Sequence, residues 1–268
     1  MHKRSVDPST TVRTKLAGAL LCIVGLLPAA AWAGPPFLTD DPEPVEYKHG
    51  EFYIAGQMAN ASGGFATTAP HLELNYGALP DVHLHVIAPL AMARATGGPT
   101  YYGLGDLELG VKYRFVHETE TMPQIGVFPL LFVPTGNSDR GLGTGQVGAL
   151  LPIWLQKGFG PWTTYGGAGY AINPGTGNSN YLQAGWLVQR EIVKALTIGT
   201  ELFFQTKRTT DGDKRVAFNV GSVINLTDDY HLLLSAGRDI KGDNNFIGYA
   251  AVQWTFGPHE DGGHEEKK

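Results

Sequence analysis

Four charged side chains fall on one parity of a short run, GLGDLELGVKYRF at 103–115: Asp106, Glu108, Lys112 and Arg114. Two of each sign on one face can pair with one another or filter ions. His83 and His85 stand two apart and share a strand face, a spacing that suits a metal if Glu73 and Glu108 lie across from them. Lys112 and Arg114 would repel that cation. The set Glu73, His83, His85, Asp106, Glu108, Lys112 and Arg114 is therefore read as a charge network that stiffens a wall, with no metal site and no cofactor expected. Nucleophilic chemistry is poorly supplied. Ser222 faces the apolar side, and Ser235 lies four residues from His231 on one face, about 13 Å at ~3.3 Å per residue, too far for a hydrogen bond. The acids Asp139, Asp211, Asp213 and Asp239 fall near loops and leave a hydrolase as a minor alternative. Gly-rich GLGTG at 141–145 has no helix start to receive a phosphate.

The element that carries the charges explains them. From Asp106 onward the polar residues alternate with Leu107, Leu109, Val111, Tyr113 and Phe115, strict period two. That is a half-buried strand and not a helix. The same alternation recurs at Leu72, Leu74 and Tyr76 against His71, Glu73 and Asn75, and at Leu202 and Phe204 against Glu201, Gln205 and Lys207. It recurs again at Phe218 and Val220 against Asn219. Twelve strands are expected, at about 50–59, 70–78, 82–94, 104–116, 124–134, 146–157, 162–172, 181–192, 195–207, 215–226, 230–239 and 246–256. Connections alternate between tight turns and longer Gly, Asn and Thr loops. This is the pattern of an all-β, antiparallel up-and-down transmembrane barrel, short turns periplasmic. A Lys or Arg turned to the lipid midplane costs roughly 2–4 kcal/mol, so strand 104–116 must hold its charges inward. A periplasmic two-sheet sandwich also alternates and is the soluble alternative.

The flanks fit export. Lys3, Arg4, Arg13 and Lys15 precede Leu16–Pro28, an apolar run of about 13 residues, and Ala31-Trp32-Ala33 follows. Residues 1–33 read as a signal peptide, too short to span a membrane. Leu21 before Cys22 argues against lipidation, and cleavage would remove the one cysteine. It would also take four of the 20 basic and one of the 25 acidic residues, leaving a net charge near −8. No nucleic-acid partner is expected of such a chain. Residues 34–48, with four prolines and four acids, read as an extended periplasmic lead-in, 49–256 as the barrel, and 257–268 as a polar disordered tail. His259 and His264 in that tail make at most a weak metal pattern. Trp254 and Phe256 close the last strand on one face, as the outer-membrane barrel assembly machinery favours. The expected partners are that machinery and the outer-membrane bilayer.

Inward parity also gathers Phe128, Leu130, Phe132 and Trp154. An apolar patch in a polar lumen suits a hydrophobic solute. Packing that fills a narrow barrel, or a bulge near Pro129 or Pro152 that reverses parity, is the reading that weighs more.

Three ordered stretches, GLGDLELGVKYRF at 103–115, FVPTGNSDRGLGTGQ at 132–146 and LPIWLQKGFGPWTTYGGAGY at 151–170, resemble the outer-membrane barrels described as transporters of the phenol-degradation meta pathway. PFLTDDPEPVEYKHGEFY at 36–53 is similar to their N-terminal stretch. The resemblance implies a bacterial outer-membrane barrel for passive uptake of small hydrophobic or aromatic compounds, without agreed catalytic residues. A closed structural barrel is the alternative.

Overall fold

The computed structural model describes residues 35–61, 64–243 and 245–258. The expected signal peptide and all of the tail beyond Pro258 lie outside these residues. Fourteen strand segments run in chain order: β1 (Gly50–Ala61), β2 (Gly64–Leu79), β3 (Val82–Ala95), β4 (Thr100–Leu104), β5 (Leu107–Val116), β6 (Gln124–Val127), β7 (Leu130–Val133), β8 (Gly148–Phe159), β9 (Trp162–Ile172), β10 (Tyr181–Val193), β11 (Leu196–Gln205), β12 (Arg215–Asn225), β13 (Tyr230–Lys241) and β14 (Phe246–Phe256). β4 and β5 are two halves of one stave, since both pair with β3; β6 and β7 are halves of another, since both lie between β5 and β8. Every pairing is antiparallel, and β1 meets β14 over its length, from Gly50 opposite Phe256 to Asn60 opposite Phe246. The sheet thus closes into a twelve-stave barrel with no free edge, as expected.

The two broken staves have local causes. Gly105-Asp106 interrupts the first and Phe128-Pro129 the second. Pro129 has no N–H for the ladder, and its carbonyl takes the Val111 N–H at 3.2 Å instead. Some staves are taller than the alternation suggested. β2 begins at Gly64, six residues before the expected start, with a register shift between Thr68 and His71 around Ala69-Pro70.

Burial follows parity around the ring. On β5 Glu108 and Lys112 are buried while Leu109, Val111, Tyr113 and Phe115 are exposed; on β12 Ala217 and Asn219 are buried and Phe218 and Val220 exposed. Leu72, Leu84, Ile153, Trp186, Leu202 and Val252 extend this apolar outer belt. Aromatic pairs mark its short-turn end: Tyr113 with Phe115, ring centroids 6.2 Å apart, and Trp254 with Phe256, 4.8 Å apart. An apolar belt edged by aromatics fits a bilayer, where a closed barrel satisfies all its backbone groups internally. Among the described residues no helix is long and apolar enough to cross a membrane.

One expectation is corrected. Residues 35–48 do not trail outside the barrel. Phe37, Leu38, Thr39 and Asp40 are each at most 4% exposed. They run into the lumen and return to the rim, where Lys48 donates to the Gly77 carbonyl at 2.7 Å and Gly77 to that of His49 at 2.9 Å.

Candidate functional site in the lumen

The inner wall grips this segment through complementary chemistry. Glu201 on β11 accepts the backbone N–H of Leu38 at 3.0 Å and of Thr39 at 2.5 Å. Those amides have no ladder partner, so a buried carboxylate satisfies both, and Asn219 steadies it at 3.3 Å. Ser235 donates to the Pro36 carbonyl at 2.5 Å. Lys112 Nζ lies 2.9 Å from Asp40 Oδ1 and 3.5 Å from Asp41 Oδ1. The Val45 N–H donates to His83 Nδ1 at 3.0 Å. Apolar seats complete the grip. Phe37 packs with Tyr165 and Leu187, and Leu38 with Phe203, Ala217 and Ile247. The Phe37 ring rests on Gly199 and Gly221, where a Cβ would collide with it. Glycine is therefore required there for close approach.

The expected charge network divides among three tasks. Glu73, His85 and Glu108 do meet. His85 Nε2 is 3.0 Å from Glu108 Oε1 and its Nδ1 is 2.6 Å from Asn75 Oδ1, while Asn75 donates to Glu73 at 3.0 Å. His71 joins at 3.5 Å from Glu73, so a polar rail runs along β2, β3 and β5. Lys112 and His83 hold the N-terminal segment. Arg114 sits at the rim, bonding Asp81 at 3.0 and 2.7 Å and Gln124 at 3.1 Å. Burial alone would raise the Asp81 carboxyl; the Arg114 bonds, helped by His117, hold it below its ordinary value. Asp106 belongs to none of these groups. Beyond the break at Gly105 it lines the lumen toward the long loops and accepts the Gly136 N–H at 3.0 Å, the Thr144 N–H at 2.6 Å and the Thr144 hydroxyl at 2.8 Å. It thereby clamps the loop at 134–147, whose Leu142 folds inward onto Ala91 and Ala93 of β3.

The apolar residues come together as one cluster. Phe128, Leu130, Leu150 and Trp154 are buried with Ala171 and Tyr181, and Phe132 packs against them. Phe128 sits where this cluster meets the rail, its ring 5.5 Å from that of His83, 5.2 Å from that of His85, and 4.9 Å from Lys112 Nζ. A cavity of about 550 Å³ opens below it at the short-turn end, lined by Glu51, Tyr53, His83 and Lys112 among others. A smaller one of about 60 Å³ lies toward the long loops, lined by Phe132, Tyr181 and Arg208 among others. No residue lines both. The alternative nucleophile is occupied, since Ser235 serves Pro36 and His231 bonds Asn225 at 2.9 Å.

Sequence reasoning missed Phe37 to Asp41 and Glu201. The available signals were an apolar pair inside a Pro-rich acidic stretch, and glycines on the inward parity of β11 and β12 at Gly199 and Gly221.

The chain is similar in fold to solved outer-membrane barrels. It shares 20% identity with an outer membrane channel from Pseudomonas putida F1, covering 81% of this chain and 98% of that one at a TM-score of 0.63. The KdgM porin in complex with disordered oligogalacturonate matches at 11% identity, 77% and 99% coverage and a TM-score of 0.54. The translocator domain of the autotransporter NalP from Neisseria meningitidis matches at 10%, 78% and 90%, with a TM-score of 0.51. No curated protein sequence matches the chain. The fold and the apolar belt make this a porin-like barrel of the bacterial outer membrane. Residues 59–256 match the family described as "Putative MetA-pathway of phenol degradation", and the chain belongs to that family.

Proposed function

We propose that the barrel is a channel for passive uptake of small apolar or aromatic compounds, narrowed by its own N-terminal segment. The observation that carries this reading is the cluster of Phe128, Leu130, Phe132 and Trp154 on the inner wall, beside the segment at 35–42. Apolar faces on the inner wall favour solutes that lose little on leaving water. The family's description, naming phenol degradation, supports the same solute class. The outward aromatic pair Trp254 and Phe256 supports handling by the barrel assembly machinery.

The test is liposome swelling with a phenyl glucoside, which the bilayer itself excludes, against a plain disaccharide of similar mass. Faster entry of the glucoside, with the preference lost in a Phe128→Ala, Trp154→Ala double variant, is the expected result. Exclusion of both solutes would remove the transport reading and select a closed structural barrel, a second reading favoured by the tightness with which Phe37 to Asp40 are seated.

A further inference from the structure

The smaller cavity lies against the apolar cluster, toward the long loops. Phe132, Ala171 and Tyr181 of that cluster line it, with Ile87 and Ile172 beside them. Next to these apolar walls stands Arg208, the sole lysine or arginine among the described residues that line it. Its guanidinium lies over the Tyr181 ring, Cζ 5.1 Å from the centroid. Stacking uses the flat face of a guanidinium and leaves its in-plane N–H donors for another partner. Among the described residues no hydrogen bond or ion pair takes those donors. Nε is shut from solvent, so the open edge is the Nη pair. The acid on the same lining, Asp106, does not neutralise Arg208, because its oxygens already accept from Gly136 and Thr144.

We propose that this hollow binds an aromatic monocarboxylate, its ring against Phe132 and Ala171 and its carboxylate in the fork of Arg208. The planar guanidinium matches a carboxylate through two parallel N–H bonds, and Tyr181 braces it in place. Size fits a single ring. At about 10–15 Å³ per water, a hollow of about 60 Å³ has room for roughly four to six waters, and a benzene ring displaces about five. The carboxylate then stands at the mouth, where the Nη edge is open. A carboxylate without a ring leaves the apolar walls unused, and a ring without the charge leaves Arg208 unpaired. The inference names a solute class for the channel proposed above and rests on that reading for its role, while the binding itself needs no passage.

The experiment is calorimetric titration of the full protein in non-ionic detergent with three probes: benzoate, benzamide of the same shape without the charge, and acetate with the charge but no ring. Benzoate is expected to bind about tenfold tighter than either of the others, with its affinity falling as salt rises. Arg208→Gln is expected to weaken benzoate about tenfold and leave benzamide unchanged, whereas Phe132→Ala weakens both. Should Arg208→Gln lose its folded, heat-modifiable band, Arg208→Lys is read instead, and it is expected to narrow the preference for benzoate over benzamide. Equal affinity for benzoate and benzamide, no binding of benzoate, or an arginine variant that leaves the preference unchanged would overturn the proposal. Benzoate binding without solute entry in liposome swelling would keep this site and remove the channel; entry without benzoate binding would do the reverse.

Discussion

Lys112 of β5 and Asp40 of the N-terminal segment form an ion pair of 2.9 Å with both side chains nearly excluded from solvent. With Glu201 it supplies the buried charged contacts that hold the segment in the lumen. Removing one partner of a buried pair strands the other charge and costs about 3–5 kcal/mol. Asp40→Ala should therefore unseat the segment, and single-channel conductance in planar bilayers should rise. Asp40→Leu with Lys112→Met removes both charges at once and should keep conductance near the wild-type value. An unchanged conductance in Asp40→Ala would show that the seat does not depend on this pair.

Asp106 accepts three hydrogen bonds from Gly136 and Thr144. Asp106→Ala should release the loop at 134–147, whose Arg140 stacks on Tyr101 at 5.7 Å. Trypsin added to proteoliposomes from the long-loop side should then cut after Arg140 at least about tenfold faster, as expected when a local opening becomes easier by more than ~1.4 kcal/mol. Equal cleavage rates would show that other contacts hold the loop.

The outer belt makes a different prediction. Leu109 is exposed on the outward parity of β5, next to inward Glu108. Leu109→Arg should destabilise the folded barrel by about 2–4 kcal/mol in lipid, measured as the shift in a urea unfolding curve in vesicles. No shift would place that face out of contact with lipid.

At the rim, Arg114 holds Asp81 below its ordinary value against the opposing effect of burial. A lowered folded value contributes stability that is present above the unfolded carboxyl value and is lost as pH falls through the folded one. The contribution of this turn should thus fade below about pH 4. Thermal scans between about pH 3 and 7 should show Asp81→Asn flattening the acid limb; an identical acid limb in both proteins would remove Asp81 from it.

The staves were legible because each carries its own evidence: parity on 104–116 alone fixes which side is wet, and the penalty for reversing it is large. The same parity placed Glu108 and Lys112 inward. Asp106 faces the lumen too, but beyond the break at Gly105 it clamps the loop at 134–147 instead of joining the other charges. The lumen-filling role of residues 35–42 was not legible, since a Pro-rich stretch without period has no face to read, and its receptors lie on distant staves. Glu201 looked like one more inward acid; only the two amides of Leu38 and Thr39 reveal what it is for.

That distribution of receptors has a consequence for biogenesis. Phe37 to Asp40 emerge from synthesis ahead of every stave, yet their seat is assembled from β5, β11 and β13, far later in the chain. A segment translated before the staves therefore has no complete berth until β13 is in place.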